Sequence, residues 1–301
     1  MGSGEQPIAP DRNRTRAMST GATPQTTVRA LVFTSPAHDL VAVRGTFSPT
    51  TSTLLVGQSE SVLVDAQYID SDIAALGDLI ESTGTKLTTI YVTHAHADHY
   101  LGIGALLERF PGARALATPG VVEAIKATLD VQAGQWSAMF GDAAVKPTVL
   151  PEPMAGDVID LEGSELRVIE VGQGDIRPST VLHVPAIDTV VAGDVIYNQI
   201  HAMLGLSAPD DWPNWIASID QVERLRPATI VAGHKKPEAS DQAVEGMIDG
   251  TRSYISDFAE AAQSAKDADE LVAMMLARYE TLGNPWTLRF SARAWFARDR
   301  P

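Results

Sequence analysis

The sequence of 301 residues contains no cysteine, and its 23 lysine and arginine residues are outnumbered by 38 aspartate and glutamate residues. The absence of cysteine excludes disulfides, thiolate catalysis and cysteine-based zinc sites. The formal net charge of −15 disfavours nucleic acid and anionic membranes as partners, because an acidic surface repels phosphate groups. No apolar run approaches the roughly 18 residues that a membrane-spanning helix needs. We therefore expect neither a nucleic acid nor a membrane as a partner.

The first 26 residues are polar, rich in Gly, Pro, Ser and Thr, and lack the apolar segment of a secretory signal. We predict a disordered leader over residues 1–26 and a cytoplasmic location. The whole chain is 45% apolar and can form a substantial core. We predict a folded domain over residues 27–235, and a C-terminal helical extension over residues 236–301 that packs on it.

Strand-like runs alternate with helical repeats along the chain. The first half predicts strands at residues 27–33, 41–47, 52–58, 61–67 and 86–93, and helices at residues 71–84, 102–110 and 121–145. The second half predicts strands at residues 165–172, 179–185, 188–194 and 228–234, with a helix at residues 212–225. Because strands followed by helices occur twice, we predict an α/β fold in which two packed sheets carry helices on their outer faces.

Residues 93–100, THAHADHY, hold three of the seven histidines and follow directly on a predicted strand. In this stretch His94, His96, Asp98 and His99 are separated only by alanines, which do not crowd a bound ion. Imidazole and carboxylate are ligands of zinc, iron and manganese, and the lack of cysteine leaves only nitrogen and oxygen ligands. The stretch therefore predicts a metal site.

Two distant residues follow apolar strands in the same way. Asp194 ends the run VVAGD, and His234 ends the run IVAGH. A carboxylate in such a position can bridge two cations. Together with the upstream cluster, these residues predict one centre built from several strand ends.

The order of these motifs resembles the metallo-β-lactamase superfamily over about residues 50–235. The resemblance rests on LVDAQ (63–67), THAHADH (93–99), GD (193–194) and GH (233–234), in that order. It implies an αββα sandwich of two mixed β-sheets flanked by helices, with the metals along one sheet edge. It also implies a first site with His94 and His96, a second with Asp98, His99 and His234, and Asp194 as the bridge. One or two zinc ions are expected, with iron or manganese as alternatives.

One ligand that the resemblance implies is missing. The family has a histidine about 20 residues before the bridging aspartate, where this chain has Gln173. An amide oxygen is a weaker ligand than imidazole, so we expect the first site to bind its ion less tightly. Three arrangements stay open: Gln173 coordinates weakly, Asp175 takes the place of the histidine, or water does. His201 is a further candidate to fill the gap or to contact the substrate.

A metal centre of this kind predicts hydrolysis of a small carbonyl ester, with a lactone or thioester favoured as the small-molecule substrate. A bound cation lowers the pKa of water to about 7 and polarises a carbonyl. Asp98 can bind metal, orient the attacking water and later take up a proton. Tyr197 resembles the tyrosine of the lactonase branch, which donates a hydrogen bond to the substrate carbonyl and would stabilise a developing oxyanion.

Two alternatives stay open. The first is an iron-dependent oxidoreductase of the persulfide-dioxygenase type, which needs three strong ligands to iron and is disfavoured by Gln173. The second is a non-catalytic binding descendant of the fold, which is disfavoured by the retained Asp98, Asp194 and His234. Residues 286–296, WTLRFSARAWF, alternate apolar and basic side chains, which suggests docking against a second copy in a homodimer.

Overall fold

The structure is a computed structural model that describes residues 1–2, 28–41, 43–146 and 149–298. The predicted leader falls almost entirely on residues 3–27, which lie outside the described residues. The strands are β1 (Arg29–Thr34), β2 (His38–Asp39), β3 (Thr46–Phe47), β4 (Thr51–Val56), β5 (Glu60–Val64), β6 (Lys86–Tyr91), β7 (Arg114–Ala117), β8 (Glu152–Pro153), β9 (Val158–Leu161), β10 (Ser164–Gly172), β11 (Ser179–Val184), β12 (Thr189–Asn198) and β13 (Thr229–Lys235). The helices are α1 (Asp70–Ser82), α2 (Ala97–Tyr100), α3 (Ile103–Arg109), α4 (Pro119–Phe140), α5 (Trp212–Arg224), α6 (Val244–Ser264), α7 (Ala268–Arg278) and α8 (Pro285–Ala297).

The strands form two large mixed sheets. The first has the order β1-β4-β5-β6-β7-β8, with antiparallel pairs from β1 to β5 and parallel pairs from β5 to β8. The second has the order β13-β12-β11-β10-β9, in which β12 and β13 are parallel and the other neighbours antiparallel. Strands β2 and β3 form a separate short pair.

The two sheets pack face to face through an apolar layer to which both contribute. Leu55 and Val62 of the first sheet share one buried cluster with Leu182 and Val231 of the second. Helices cover the outer faces, α1 and α3 on the first sheet and α5 and α6 on the second. The predicted αββα sandwich is therefore confirmed. Among the described residues, no helix combines the length and the apolar character needed to cross a membrane.

The sequence patterns predict one strand wrongly and miss several short strands. Residues 43–45 form bends where a strand over 41–47 is predicted, and the pairing there is limited to Thr46 and Phe47. The patterns do not predict β7, β8 and β9. Each of these strands is two or four residues long, which is too short for a clear period of apolar residues.

The C-terminal segment is helical, as predicted, and its last part forms a helix as well. In α8, Leu288 and Ala292 lie four residues apart and are both buried. The ring of Trp295 stacks on that of Trp212, with centroids 5.8 Å apart. These apolar residues of the tail therefore pack against their own chain, and the homodimer stays a prediction.

The two sheets are joined at one edge by short bridges that include candidate ligands. His94 pairs with Ser179 at the start of β11, and Thr50 pairs with His234 of β13. The side chain of Thr51 also donates a hydrogen bond to the carbonyl of Ala232 (2.7 Å). These bridges bring the loop after β6 against β11 and the start of β4 against β13, so the predicted site residues converge at this edge.

Candidate metal centre

The candidate ligands are buried side chains from three parts of the fold. Those of residues 94–99 lie in the loop after β6 and in the single turn α2. Asp194 lies within β12 and His234 within the neighbouring β13. The most exposed member is His96, with 8% of its surface accessible, so the centre is nearest to solvent at that residue.

The side chains form two groups, and within each group the potential ligand atoms lie within 4.8 Å of one another. The first group contains His94, His96, Asp175 and Asp194, and the second contains Asp98, His99 and His234. This division is the one that the resemblance implies, with Asp175 added to the first group. The role of each side chain as a metal ligand stays a prediction.

Asp194 lies between the two groups. Its Oδ1 is 3.2 Å from His99 Nε2, and its Oδ2 is 3.2 Å from His234 Nε2. The same Oδ2 is 3.9 Å from His94 Nε2. A carboxylate in contact with imidazoles of both groups has the position that a bridging ligand needs.

Asp98 also faces both groups. Its Oδ1 is 3.4 Å from His96 Nδ1, and its Oδ2 is 3.2 Å from His234 Nε2. The hydroxyl of Thr50 donates to Oδ2 (3.2 Å). This contact occupies Oδ2, whereas Oδ1 has no hydrogen-bond partner among the described residues.

Two imidazoles are oriented by hydrogen bonds on the side that faces away from the centre. His99 Nδ1 donates to Asp65 Oδ2 (2.8 Å), and His234 Nδ1 donates to the carbonyl oxygen of Pro49 (3.0 Å). Because Nδ1 donates in each ring, Nε2 is the nitrogen that faces the centre, and in the neutral ring its lone pair would bind a cation. Such contacts preset the ring for metal binding.

Asp65 and Thr93 are site residues that the sequence patterns do not single out. Asp65 Oδ1 accepts from the backbone nitrogen of Thr93 (2.9 Å), and Asp65 Oδ2 accepts from the Thr93 hydroxyl (2.9 Å). That hydroxyl then has a lone pair to accept from His94 Nδ1 (2.9 Å). In the sequence, the motif LVDAQ could have indicated Asp65, because Asp65 follows an apolar run just as Asp194 does.

Asp175, rather than Gln173, reaches the first group. Asp175 Oδ2 is 3.2 Å from His96 Nδ1, and Asp175 Oδ1 is 3.7 Å from His94 Nε2. The side-chain nitrogen of Gln173 donates to the carbonyl of Gly174 instead (3.0 Å). Of the three arrangements that the sequence leaves open, the geometry favours the one in which Asp175 takes the place of the histidine.

Comparison with known proteins agrees with the fold and with the order of these motifs. The sequence profile of the metallo-beta-lactamase superfamily matches residues 45–234, which is more than half of the chain. The chain belongs to the metallo-β-lactamase superfamily. No curated protein matches the sequence.

Two solved structures illustrate the superfamily fold. A metallo-β-lactamase family protein from Thermus thermophilus is 17% identical with a TM-score of 0.59, and the match covers 85% of this chain and 91% of that one. A metallo-β-lactamase from Pontibacter korlensis is 19% identical with a TM-score of 0.55, and the match covers 77% of this chain and 100% of that one. At these identities the likeness shows the fold alone.

The donor set of this superfamily member fits divalent cations. Several buried atoms of the potential ligands have no hydrogen-bond partner among the described residues, namely His94 Nε2, His96 Nδ1, His99 Nε2, Asp175 Oδ2 and Asp194 Oδ1. Such atoms cost free energy unless something satisfies them, and nitrogen and oxygen donors of these types bind transition metals. The residues present can therefore hold metal ions.

The buried charges shift one another's pKa values. Burial lowers the pKa of His234, but Asp194 and Asp98 outweigh burial and raise it to about 10. Burial and the charge of Asp194 raise the pKa of Asp175 to about 6, against the opposing effect of His96. Protons on histidines thus balance the buried carboxylates, and a bound cation would take over that role.

Tyr197 touches the centre, whereas His201 lies outside both groups. The Tyr197 hydroxyl donates to Asp194 Oδ2 (2.9 Å), and its ring stacks on that of His234. The hydrogen bond from Tyr197 to a substrate carbonyl stays a prediction. His201 is buried, with Nδ1 3.1 Å from the Tyr254 hydroxyl, and belongs to neither group of ligand atoms.

Proposed function

We propose that this protein is a metal-dependent hydrolase of a small carbonyl ester, with a lactone or thioester favoured as substrate and zinc as the metal. The observation that carries the proposal is the convergence of two groups of nitrogen and oxygen donors on one shared carboxylate, Asp194. Divalent cations bound there would supply Lewis-acid polarisation of the carbonyl and a water of lowered pKa.

Asp98 is the proposed proton carrier. Its Oδ2 is held by Thr50, whereas its buried Oδ1 has no partner among the described residues. Oδ1 can therefore accept a hydrogen bond from the attacking water, orient it towards the carbonyl carbon, and take up a proton. Asp98 would then give that proton to the leaving oxygen or sulfur.

Tyr197 would act on the carbonyl oxygen. Its hydroxyl is a neutral donor beside the centre, and in this structure it holds Asp194 Oδ2. A small rotation of that hydroxyl towards a bound substrate would stabilise charge that develops on the carbonyl oxygen. Until then, the hydroxyl positions Asp194.

Substrate access is proposed on the side of His96. The ring of Trp136 contacts that of His96, with centroids 5.7 Å apart. A cavity of about 270 Å³ lies nearby and is bordered by Ala95, Gln132 and Gln173. This volume suits a small substrate or part of a larger one.

An iron-dependent oxidoreductase of the persulfide-dioxygenase type is the second candidate, and Asp175 is the observation in its favour. Two histidines with a carboxylate are a ligand set that suits non-haem iron. His94, His96 and Asp175 form such a set in the first group. Iron in the purified protein, together with oxygen consumption, would favour this candidate over hydrolysis.

The test combines metal analysis with a screen of lactones, thioesters and β-lactams. We expect Asp194→Ala and His99→Ala to abolish turnover while the fold persists, as checked by circular dichroism. His183→Ala is the matched control, because His183 lies on β11 and belongs to neither group of ligand atoms. Full activity in a sample shown by elemental analysis to be free of metal would overturn the proposal.

A further inference from the structure

A groove of about 750 Å³ lies between the bend that follows β2, the end of α4, and α8. It is lined by Arg44, Arg289 and Arg293 together with Trp286 and Phe290. We call it the arginine groove. Arg44 and α8 lie outside residues 45–234, which the superfamily profile matches.

Among the residues that the structure describes, the arginines of the groove have no acidic partner. Arg44, Arg289 and Arg293 are exposed and form no ion pair or hydrogen bond with any residue in the described part of the chain. Arg289 and Arg293 lie four residues apart on α8, where like charges repel each other. By contrast, Arg252 contacts three carboxylates. In a chain with a net charge of −15, such a convergence creates a local positive field that attracts an anion.

The wall between the arginines is apolar. The rings of Trp286 and Phe290 stack, with centroids 5.6 Å apart and an interplanar angle of 23°. Leu40 and Met139 complete this surface. Guanidinium groups bind the paired oxygens of a carboxylate or a phosphate, and a wall of this kind binds aliphatic or aromatic groups. The groove therefore suits a ligand with an apolar arm and an anionic end.

The arginine groove adjoins the metal centre through two buried rings. The ring of Phe47 contacts Trp286 on the groove side (5.9 Å between centroids) and His234 on the other side (5.7 Å). The ring of Trp136 contacts Phe47 (5.1 Å) and His96 (5.7 Å). One aromatic layer thus separates the groove from the candidate ligands.

We propose that the arginine groove is a substrate subsite, and that the substrate is an ester or thioester with a carboxylate or phosphate at the end of an apolar arm. The identity of the scissile bond rests on the proposed hydrolase function, whereas the binding of the anion does not. In the reaction, a bond forms between the water oxygen and the acyl carbon, and the carbon–oxygen or carbon–sulfur bond breaks. A proton from the water passes through Asp98 to the leaving group.

Anion binding is tested on the metal-loaded protein by isothermal titration calorimetry with octyl phosphate, octanoate and octanol, which share one alkyl length. We expect one of the two anions to bind about tenfold or more tightly than octanol, as for a charge-assisted contact, and to bind less tightly as salt is added. The tighter anion identifies phosphate or carboxylate as the group recognised. Arg289→Gln/Arg293→Gln should remove the preference. The control Arg224→Gln/Arg226→Gln changes two exposed arginines at the opposite end of β13 from His234 and should keep it.

Hydrolysis is measured separately, as kcat/KM for a neutral and an anionic 4-nitrophenyl ester of equal acyl length. We expect the wild type to prefer the anionic ester, and the ratio of the two values to fall about tenfold in Arg289→Gln/Arg293→Gln. Equal affinity for the three alkyl probes, or an equal loss in both double variants, would overturn the subsite. Anion binding that depends on Arg289 and Arg293 in a metal-loaded protein that hydrolyses no ester, lactone or thioester would support anion recognition by the groove and overturn the hydrolase proposal.

Discussion

Replacement of Asp65 by asparagine tests how strongly the orientation of His99 governs metal binding. Asp65 is buried and accepts hydrogen bonds from His99 Nδ1 (2.8 Å) and from the backbone nitrogen of Thr93 (2.9 Å). Its φ is +62°, in the left-handed region that asparagine tolerates as well as aspartate does. The substitution therefore changes one hydrogen-bond acceptor and one charge while the backbone is kept.

The expected loss follows from these contacts. In Asp65→Asn one carboxylate oxygen becomes an NH₂ group, which cannot accept a hydrogen bond from either His99 or Thr93, whichever it faces. If it faces His99, that ring keeps its position only with its proton on Nε2, the atom 3.2 Å from Asp194 Oδ1, where the proton excludes a cation. Loss of such an outer contact lowers metal affinity roughly 10- to 100-fold. That range corresponds to about 1.4–2.7 kcal/mol.

The assay is a titration of metal-free protein with Zn²⁺ in the presence of a competing chelator. We expect Asp65→Asn to bind one of its ions more weakly by the stated factor. Asp72→Asn is the matched control, because Asp72 is also buried and contacts a histidine, His38 (2.5 Å), that is not a candidate ligand. Unchanged affinity in Asp65→Asn, or an equal loss in Asp72→Asn, would refute the reasoning.

Three further predictions concern the first group, stability at low pH, and metal removal. Asp175→Ala should lower the metal content of the purified protein more than Gln173→Ala does, because only Asp175 lies near His94 and His96; the reverse result in elemental analysis would assign the ligand to Gln173. Burial, and then Arg289, lower the pKa of His201 to about 4, so the unfolded chain takes up its proton first as the pH falls from 6.5. Protonation of His201 should therefore reduce the free energy of unfolding by about 3 kcal/mol between pH 7 and pH 4. Measured by urea unfolding, the decrease over this pH range should be smaller by that amount in His201→Gln. A chelator should lower the Tm of the wild type, and should lower that of Asp194→Ala less, if the centre binds metal in the folded state.

Most of the candidate centre could be predicted from the sequence because its residues follow apolar runs, although β12 continues past Asp194 to Asn198. The strands β6, β12 and β13 bring residues 94–99, Asp194 and His234 to one edge. Asp175 could not be chosen in advance, since it lies in the connection between β10 and β11. The path of that connection depends on tertiary packing at Gly174, where a Cβ would lie 2.9 Å from Ser179 Oγ and 3.1 Å from the carbonyl oxygen of Asp194. Sequence spacing contains no such information.

The failed strand over residues 41–47 has a different cause. Val41 and Val43 belong to a short apolar run typical of a strand, yet they are 67% and 50% exposed. Their apolar side chains lie on a bend beside the arginine groove rather than in a sheet, and Val43 lines that groove. An apolar run in a sequence predicts side chains that become covered. A bound substrate or another molecule can cover them as well as the core of the same chain can.

The glycines of the GD and GH motifs explain why these pairs predict a metal centre more strongly than the donors alone. Gly193 and Gly233 lie within the neighbouring strands β12 and β13, not in turns. A Cβ at Gly233 would lie 2.1 Å from Asp194 Oδ1, and a Cβ at Gly193 would lie 2.8 Å from Thr93 Oγ1. Alanine at position 233 would therefore displace the carboxylate that lies between the two groups. Each motif therefore combines a candidate metal ligand with a glycine that leaves room for a neighbouring side chain of the centre. An ordinary Gly-Asp or Gly-His turn needs its glycine for backbone conformation alone. Gly233 instead leaves room for a carboxylate, and Gly193, whose φ is +48°, is needed both for its backbone conformation and for the space beside Thr93.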